Sequence, residues 1–464
     1  MTSDLLDLSL LDVRRGLTHK HFSCTEYVEA LLHARNAQRA LNCFITSNDE
    51  ALRIAARAYD RRPGAGPLAG IPVALKDNID VAGLPTTAGT HAMRAHVPGA
   101  HAHVAQRLFE AGALFAGKTS MHELALGITT NNGVFGPCRN PWNPARIPGG
   151  SSGGSGAAVA ARLVPAALGT DTGGSVRLPA ALCGVAGLRP TVGRYPQAGI
   201  APISHTRDTA GPIARTIDDL ALLDAVLADI ANEGPPPELH PRSLRLGVLR
   251  EQGFARLDPA VREVIEGSLD TLARAGIELV DVYIEGLDTL NDAIGFPVVL
   301  YEFVRDLPAY LAAGGSTLTL RDIAAGIGSP DVADIARLAM DDPVSDAVYR
   351  GALDARITLQ AAYRRAFMDH GIDALVFPTA PLPACPIAND AVLVDGVSVP
   401  VFAAYIQNTD PGSNAGIPGV TLPAGLTRDG LPVGLELDGP ADCDRHLLAV
   451  ARAVERVLGP IPRP

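Results

Sequence analysis

The stretch GGSSGGSG, Gly149 to Gly156, packs five glycines and three serines into eight positions. Three kinds of loop look like this: a flexible linker, a phosphate cradle, or a catalytic loop whose backbone must come close to a substrate. A linker separates segments of different composition. Here a Pro-rich loop (RNPWNPARIP) runs straight into an Ala-rich helical pattern (SGAAVAARL), so nothing is being separated. A phosphate cradle needs a following Gly-Lys-Ser/Thr or a dinucleotide spacing, and neither is present. The catalytic reading survives, because GGSSG and GSSGG each satisfy the G-x-S-x-G pattern of a nucleophile elbow.

In a run this rich in glycine and serine that match is nearly free, so the partners decide. A Ser-His-Asp esterase using Ser151 or Ser152 needs a downstream histidine, and His205, His240, His370 and His446 are the candidates. Only His205, in SHTRD, falls in a loop suited to the role. A P-loop nucleotide module is the other different-class reading, through the formal Walker A match GALFAGKT from Gly112 to Thr119. That motif works as strand, exposed glycine loop, then helix. The apolar ALFA inside this match reads as the strand itself, with Lys118 beside its end.

A second glycine-serine turn shifts the balance. GTDTGGSVR, Gly169 to Arg177, follows the first run after one helix and one strand, so the two loops return to the same edge. Successive backbone N–H groups in Thr172-Gly173-Gly174-Ser175 can converge on one point and hold an oxyanion. Ser175 is then the nucleophile and Ser151 a hydroxyl relay to a base. Of the 39 basic residues only Lys20, Lys76 and Lys118 are lysines, and unlike arginine a buried lysine can lose its proton. Lys76 ends a buried apolar run, GIPVALKDN, where desolvation favours the neutral amine. The competing reading makes it a strand-end lysine paired with Asp77.

The rest of the chain sets limits. A net charge of −11 and a pI near 5.5 argue against nucleic-acid or anionic-membrane partners. No basic, then apolar leader opens the chain and no apolar run approaches a membrane span, so a cytoplasmic location is expected. Six scattered cysteines without a C-x-x-C pair suggest reduced thiols, neither a disulfide framework nor a metal site. Strand-like runs (IPVAL, LFAGKTS, VPAALGTD, LRLGVLR, IELVDVYI, DALVFPT, LPVGLEL) alternate with helical ones, which implies an α/β fold with a mainly parallel or mixed sheet. MHELALG reads as helical. NEGPPPELHPR is the best linker candidate, yet residues 1–464 read as one large domain, with the catalytic motifs in 5–230 and the second half, 243–460, elaborating it. Residues 286–345 are expected to line an acyl pocket; there Leu300, Tyr301 and Phe303 read as wall or, preferably, helix core.

Taken together, GIPVALKDN, PGGSSGGSGAAVAA, GTDTGGSVRLPAALCGVAGLRPTVGR and GIPGVTLPAG closely resemble the amidase signature family, in family order and over about residues 5–460. The resemblance implies an α/β/α sandwich around a mixed sheet that hydrolyses amides without metal or cofactor. It implies a Ser–cis-Ser–Lys triad of Ser175, Ser151 and Lys76, with a cis Gly150–Ser151 bond and an oxyanion hole of the Thr172, Gly173, Gly174 and Ser175 N–H groups. Within the family, MHELALGITTNNGVFGPCRNPWNP and PISHTRDTAGPIARTIDDLALLD are most similar to bacterial indoleacetamide and mandelamide hydrolases, which act on small primary amides carrying an aryl group. The glutamine-dependent tRNA amidotransferase A subunits are also similar, but carry an Asp ten residues before GIP, where this chain has Ile406. Family members usually show Lys in G-x-KPT; here Arg189 stands there, in keeping with the general preference for arginine. The partner implied is a small-molecule amide, and homodimerisation is left open.

Overall fold

The computed structural model describes residues 5–464. Its framework is a sheet of eleven strands: β1 (Phe44–Thr46), β2 (Pro72–Lys76), β3 (Leu114–Thr119), β4 (Ala166–Asp171), β5 (Ala186–Arg189), β6 (Thr209–Ala214), β7 (Arg245–Val248), β8 (Glu278–Asp281), β9 (Ala374–Pro378), β10 (Gly419–Leu426) and β11 (Pro432–Asp438). Their spatial order is β1-β3-β2-β4-β6-β5-β10-β11-β9-β7-β8. β2 runs parallel to both β3 and β4, and β7 runs parallel to β8 and β9. The strands between, β4 through β9, pair antiparallel, so the sheet is mixed.

Helices cover this sheet in an α/β sandwich. Gly153–Ala160 packs on β2 and β4, Arg177–Cys183 on β5, β10 and β11, and Pro259–Arg274 and Asp444–Leu458 on β10. Covering helices explain why β2, β4, β9 and β11 are buried at every position and read as continuous apolar runs where they lack a polar residue. The Pro-rich stretch after Leu227 does not divide the sheet. β10, from the far end of the chain, pairs with β5 from the first half, and one apolar core holds Leu75, Ile213, Val420 and Leu437 together.

Two local expectations are revised. MHELALG is not a helix: only Glu123–Ala125 forms a short 3₁₀ turn, with Leu124 and Ala125 at positive φ. The buried Glu123 carboxylate accepts from the Ser329 N–H at 2.8 Å. At the sheet edge, Phe44–Thr46 pairs antiparallel with β3. Gly112–Thr119 contains β3 itself, the strand that the apolar ALFA implies in place of a P-loop, but Lys118 lies inside that strand and not beside its end. No helix among the described residues is long and apolar enough to cross a membrane.

Candidate active site

Lys76 is the last residue of β2, and no surface of it reaches water. Its Nζ lies 2.7 Å from Ser151 Oγ and 2.7 Å from Thr170 Oγ1 on the neighbouring β4. Both partners are hydroxyls, and among the described residues no carboxylate pairs with the amine. Burial pulls its pKa down to about 7, although Asp171 and Asp208 favour the charged form from a distance. Asp77 is not its partner. That carboxylate belongs to the other buried lysine, Lys118, whose Nζ lies 3.2 Å from Asp77 Oδ1. Two lysines thus enter the same core, and the one with an ion-pair partner is the one away from the serines.

The glycine run places Ser151 by close approach more than by bending. Gly149 does need its positive φ of 82°. At Gly154, by contrast, a Cβ would sit 2.5 Å from the Ser120 backbone nitrogen and 2.6 Å from the Cys43 carbonyl oxygen, so the Gly153–Ala160 helix nests against main chain. The Gly150–Ser151 peptide is cis. Around it, Thr130 Oγ1 donates to the Gly149 carbonyl at 2.8 Å and the His122 N–H to the Ser151 carbonyl at 3.0 Å. Ser152 brackets the two glycine-serine loops. Its N–H donates to the Ser175 carbonyl at 3.1 Å, and its hydroxyl lies 3.1 Å from the Thr170 carbonyl. Among the described residues no hydrogen bond joins the Ser151 and Ser175 hydroxyls directly.

Ser175 is nearly buried and, with Thr172 and Gly173, lines a cavity of about 680 Å³. The turn around it is built on Asp171, which ends β4. One oxygen of that carboxylate accepts from the Gly174 N–H at 2.8 Å, the other from the Val176 N–H at 3.1 Å. Of the four donors expected of the oxyanion hole, the Gly174 N–H thus already has an acceptor in Asp171. Thr172, Gly173 and Ser175 keep N–H groups with no acceptor among the described residues. Burial alone would raise the Asp171 carboxyl, but the Arg177 and Arg189 guanidiniums, at 3.1 and 3.0 Å, hold it well below the usual carboxylate range. The sequence assigns no role to Asp171, Arg177 or Thr170 inside GTDTGGSVR; the signal for Asp171 is an acid that ends a strand just before the glycines.

Apolar side chains dominate the cavity wall, among them Leu126, Ile128, Ile203, Phe296 and Phe402, with Ile406 at the amidotransferase Asp position. The Leu287–Ala313 helix contributes Asp288, Asn291, Asp292, Gly295, Phe296 and Val299. Leu300 and Phe303 point instead into a separate apolar cluster, and Tyr301 stacks on Tyr349 with ring centroids 3.9 Å apart. His205 does not reach the serines. Its ring is 60 % exposed and its Nδ1 lies 2.9 Å from Asp306 Oδ2. With Glu302 these two form a group whose ligand atoms lie within 4.8 Å of one another. The Glu302 carboxylate is already saturated by Ser204, Thr206 and Tyr349, which leaves it little capacity for a metal.

A buried amine against a serine, and a second serine in a turn of free N–H groups at a cavity, are the parts of a hydrolase acting on acyl groups. Comparison with known proteins gives the class. A family model described as Amidase matches residues 26–448. The chain is 46% identical over 455 residues to an indoleacetamide hydrolase of Rhizobium radiobacter, covering 97% of both, and 41% identical over 483 residues to a mandelamide hydrolase of Pseudomonas putida, covering 99% of this chain and 93% of the other. Among solved structures, an amidase superposes with a TM-score of 0.88 at 34% identity, covering 97% of this chain and all of that one. A peptide amidase from Stenotrophomonas maltophilia gives 0.84 at 30%, covering 99% and 98%. The chain belongs to the amidase family, and it is an amide hydrolase with that family's mixed-sheet α/β fold.

Proposed function

We propose that the protein releases ammonia from a small primary amide of the aryl-acetamide type through an acyl-enzyme on Ser175, with Ser151 and Lys76 as its proton relay. The observation that carries this reading is the 2.7 Å contact between Ser151 Oγ and a lysine amine whose pKa burial has brought to about 7. At neutral pH about half of that amine is unprotonated, with the free lone pair that a general base requires.

In the first half-reaction neutral Lys76 accepts the Ser151 proton as Ser151 takes the Ser175 proton, and Ser175 Oγ attacks the amide carbonyl. The N–H groups of Thr172, Gly173 and Ser175 hold the oxyanion. Collapse of the tetrahedral intermediate breaks the C–N bond, Ser151 protonates the departing nitrogen and is itself reprotonated by Lys76, and ammonia leaves. Water then attacks the ester through the same relay and frees the acid and Ser175. The apolar cavity suits an aryl side of the substrate, since such a volume falls in the usual range for small-molecule sites. The similarity to indoleacetamide and mandelamide hydrolases points the same way. Ile406 in place of an acid and the net charge of −11 speak against a tRNA amidotransferase A subunit. On this reading residues 1–464 act as one cytoplasmic amidase domain.

The test is ammonia release from indole-3-acetamide, mandelamide, phenylacetamide, benzamide, malonamate and glutamine, with Ser175→Ala beside the wild type. Turnover of an aryl amide that disappears in the variant is expected. Survival of turnover in Ser175→Ala removes Ser175 as nucleophile, and preference for glutamine or malonamate removes the aryl assignment.

A further inference from the structure

In a trans peptide the carbonyl and the following N–H point in opposite directions, so whatever grips the carbonyl also aims the N–H. Each carbonyl of the turn before Ser175 is gripped by a different group. Arg189 donates to the Asp171 carbonyl at 2.6 Å, Arg207 to the Thr172 carbonyl at 3.2 Å, Thr409 to the Gly173 carbonyl at 2.7 Å, and the Leu178 N–H to the Gly174 carbonyl at 2.8 Å. The N–H groups on the far sides of these planes belong to Thr172, Gly173, Gly174 and Ser175, in that order. Only the Gly174 plane is fixed at both ends, by Thr409 and Asp171.

Thr172, through Arg189, and Gly173, through Arg207, are the donors whose preceding carbonyl is gripped by an arginine side chain, and of the two it is Gly173 that has the freer backbone. With no Cβ to restrict it, its preceding peptide can rotate, and the Thr172 carbonyl has Arg207 as its partner among the described residues. Arg207 is well built for that task. It is 2 % exposed, lines the cavity, and spreads its guanidinium over three elements: Thr172 in the turn, the Gly295 carbonyl of the Leu287–Ala313 helix at 3.1 Å, and the Asp410 carboxylate. Its backbone is fixed as well, since Arg189 donates to the Arg207 carbonyl at 2.8 Å. Asp410 answers its charge, so Arg207 does not offer the cavity a free cation for an anionic substrate. A planar fork can serve three acceptors in fixed directions, which a lysine point charge cannot.

We infer that Arg207 is a positioning residue for hydrolysis: by holding the Thr172 carbonyl it aims the Gly173 N–H at the oxyanion. This rests on the Ser175 acyl-enzyme reading above. The inference concerns the transition state alone, because the Gly173 N–H meets a developing negative charge that the bound amide does not yet carry.

The experiment compares full-length wild type with Arg207→Lys and Arg207→Ala in kcat and KM for phenylacetamide. It also measures inhibition by benzylboronic acid, which forms a tetrahedral adduct on a nucleophilic serine, and by phenylacetate, which does not. Loss of one oxyanion donor typically lowers kcat by about 10²–10³-fold. The expected result is a fall of that size in both variants, KM within about threefold, benzylboronic acid weakened in step with kcat, and phenylacetate unchanged. Added guanidinium should restore part of kcat in Arg207→Ala. Arg207→Lys retains the buried charge opposite Asp410, so a loss confined to Arg207→Ala, accompanied by a collapsed melting temperature, overturns the inference. So does a rise in KM and in the phenylacetate inhibition constant at constant kcat, which would put Arg207 on the acyl group. A wild type indifferent to benzylboronic acid defeats the Ser175 reading itself, and the role of Arg207 with it.

Discussion

Lys76 makes the sharpest quantitative prediction. With its pKa near 7, about a tenth of the amine is neutral at pH 6, half at pH 7 and about nine tenths at pH 8. If Lys76 is the base, kcat/KM for an aryl amide rises close to tenfold per pH unit below 7 and levels off above 8. Stability follows the same group with its own sign. The folded-state pKa lies below the unfolded one, so between about pH 7 and 10.5 the unfolded chain holds more protons and stability climbs with pH. The gap between the two pKa values corresponds to a penalty on the order of 5 kcal/mol for keeping a charged lysine at this site. Lys76→Met removes that penalty and loses two hydrogen bonds of about 1 kcal/mol each, while leaving Ser151 and Thr170 hydroxyls with fewer partners. The expected variant is inactive and melts higher than wild type at pH 7. A pH profile flat from 6 to 9, a half-point near 10, or a Lys76→Met protein that melts lower would each refute the reasoning.

Three further outcomes follow from neighbouring features. Lys118→Met leaves the fully buried Asp77 carboxylate without its ion-pair partner and should destabilise the fold by about 3–5 kcal/mol in denaturant titrations, the opposite sign from Lys76→Met. Gly154→Ala pushes a methyl into the Ser120 and Cys43 backbone and should lower the melting temperature, with a cost of about 1–3 kcal/mol; an unchanged melt would show that the helix can shift freely. His205→Ala should keep kcat within about threefold, because its ring faces solvent and Asp306; abolished turnover would revive a serine–histidine mechanism.

The strands that sequence made visible are those with unbroken apolar runs, such as VAL in β2 and ALVF in β9, where burial on both faces leaves one reading. β6 was hidden because Thr209–Ala214 reads TAGPIA, and a Gly-Pro pair signals a turn. Its neighbours β4 and β5 nevertheless pair along it on both sides. The site divides in the same way. Lys76, Ser151 and Ser175 stood out because each is an unusual residue in an unusual place: a scarce lysine, and serines among glycines. What sequence could not give is who serves whom. Nothing local says that Asp77 turns to Lys118, that Asp171 consumes the Gly174 N–H, or that Arg207 and Thr409, 35 and 236 positions from their acceptors, hold the turn. Those assignments depend on which strands lie side by side.

The burial of Lys76 and Lys118 also governs how the protein meets reagents from outside. Lys20 is exposed, and the remaining two of the three lysines have no accessible surface. An amine-directed coupling reagent therefore finds, the α-amino group aside, one side chain on the entire surface, near the end of the Leu10–Thr18 helix. Attachment to a solid support or a dye through that residue would present one face of the protein and leave Lys76 and Lys118 untouched, with no cysteine engineering required.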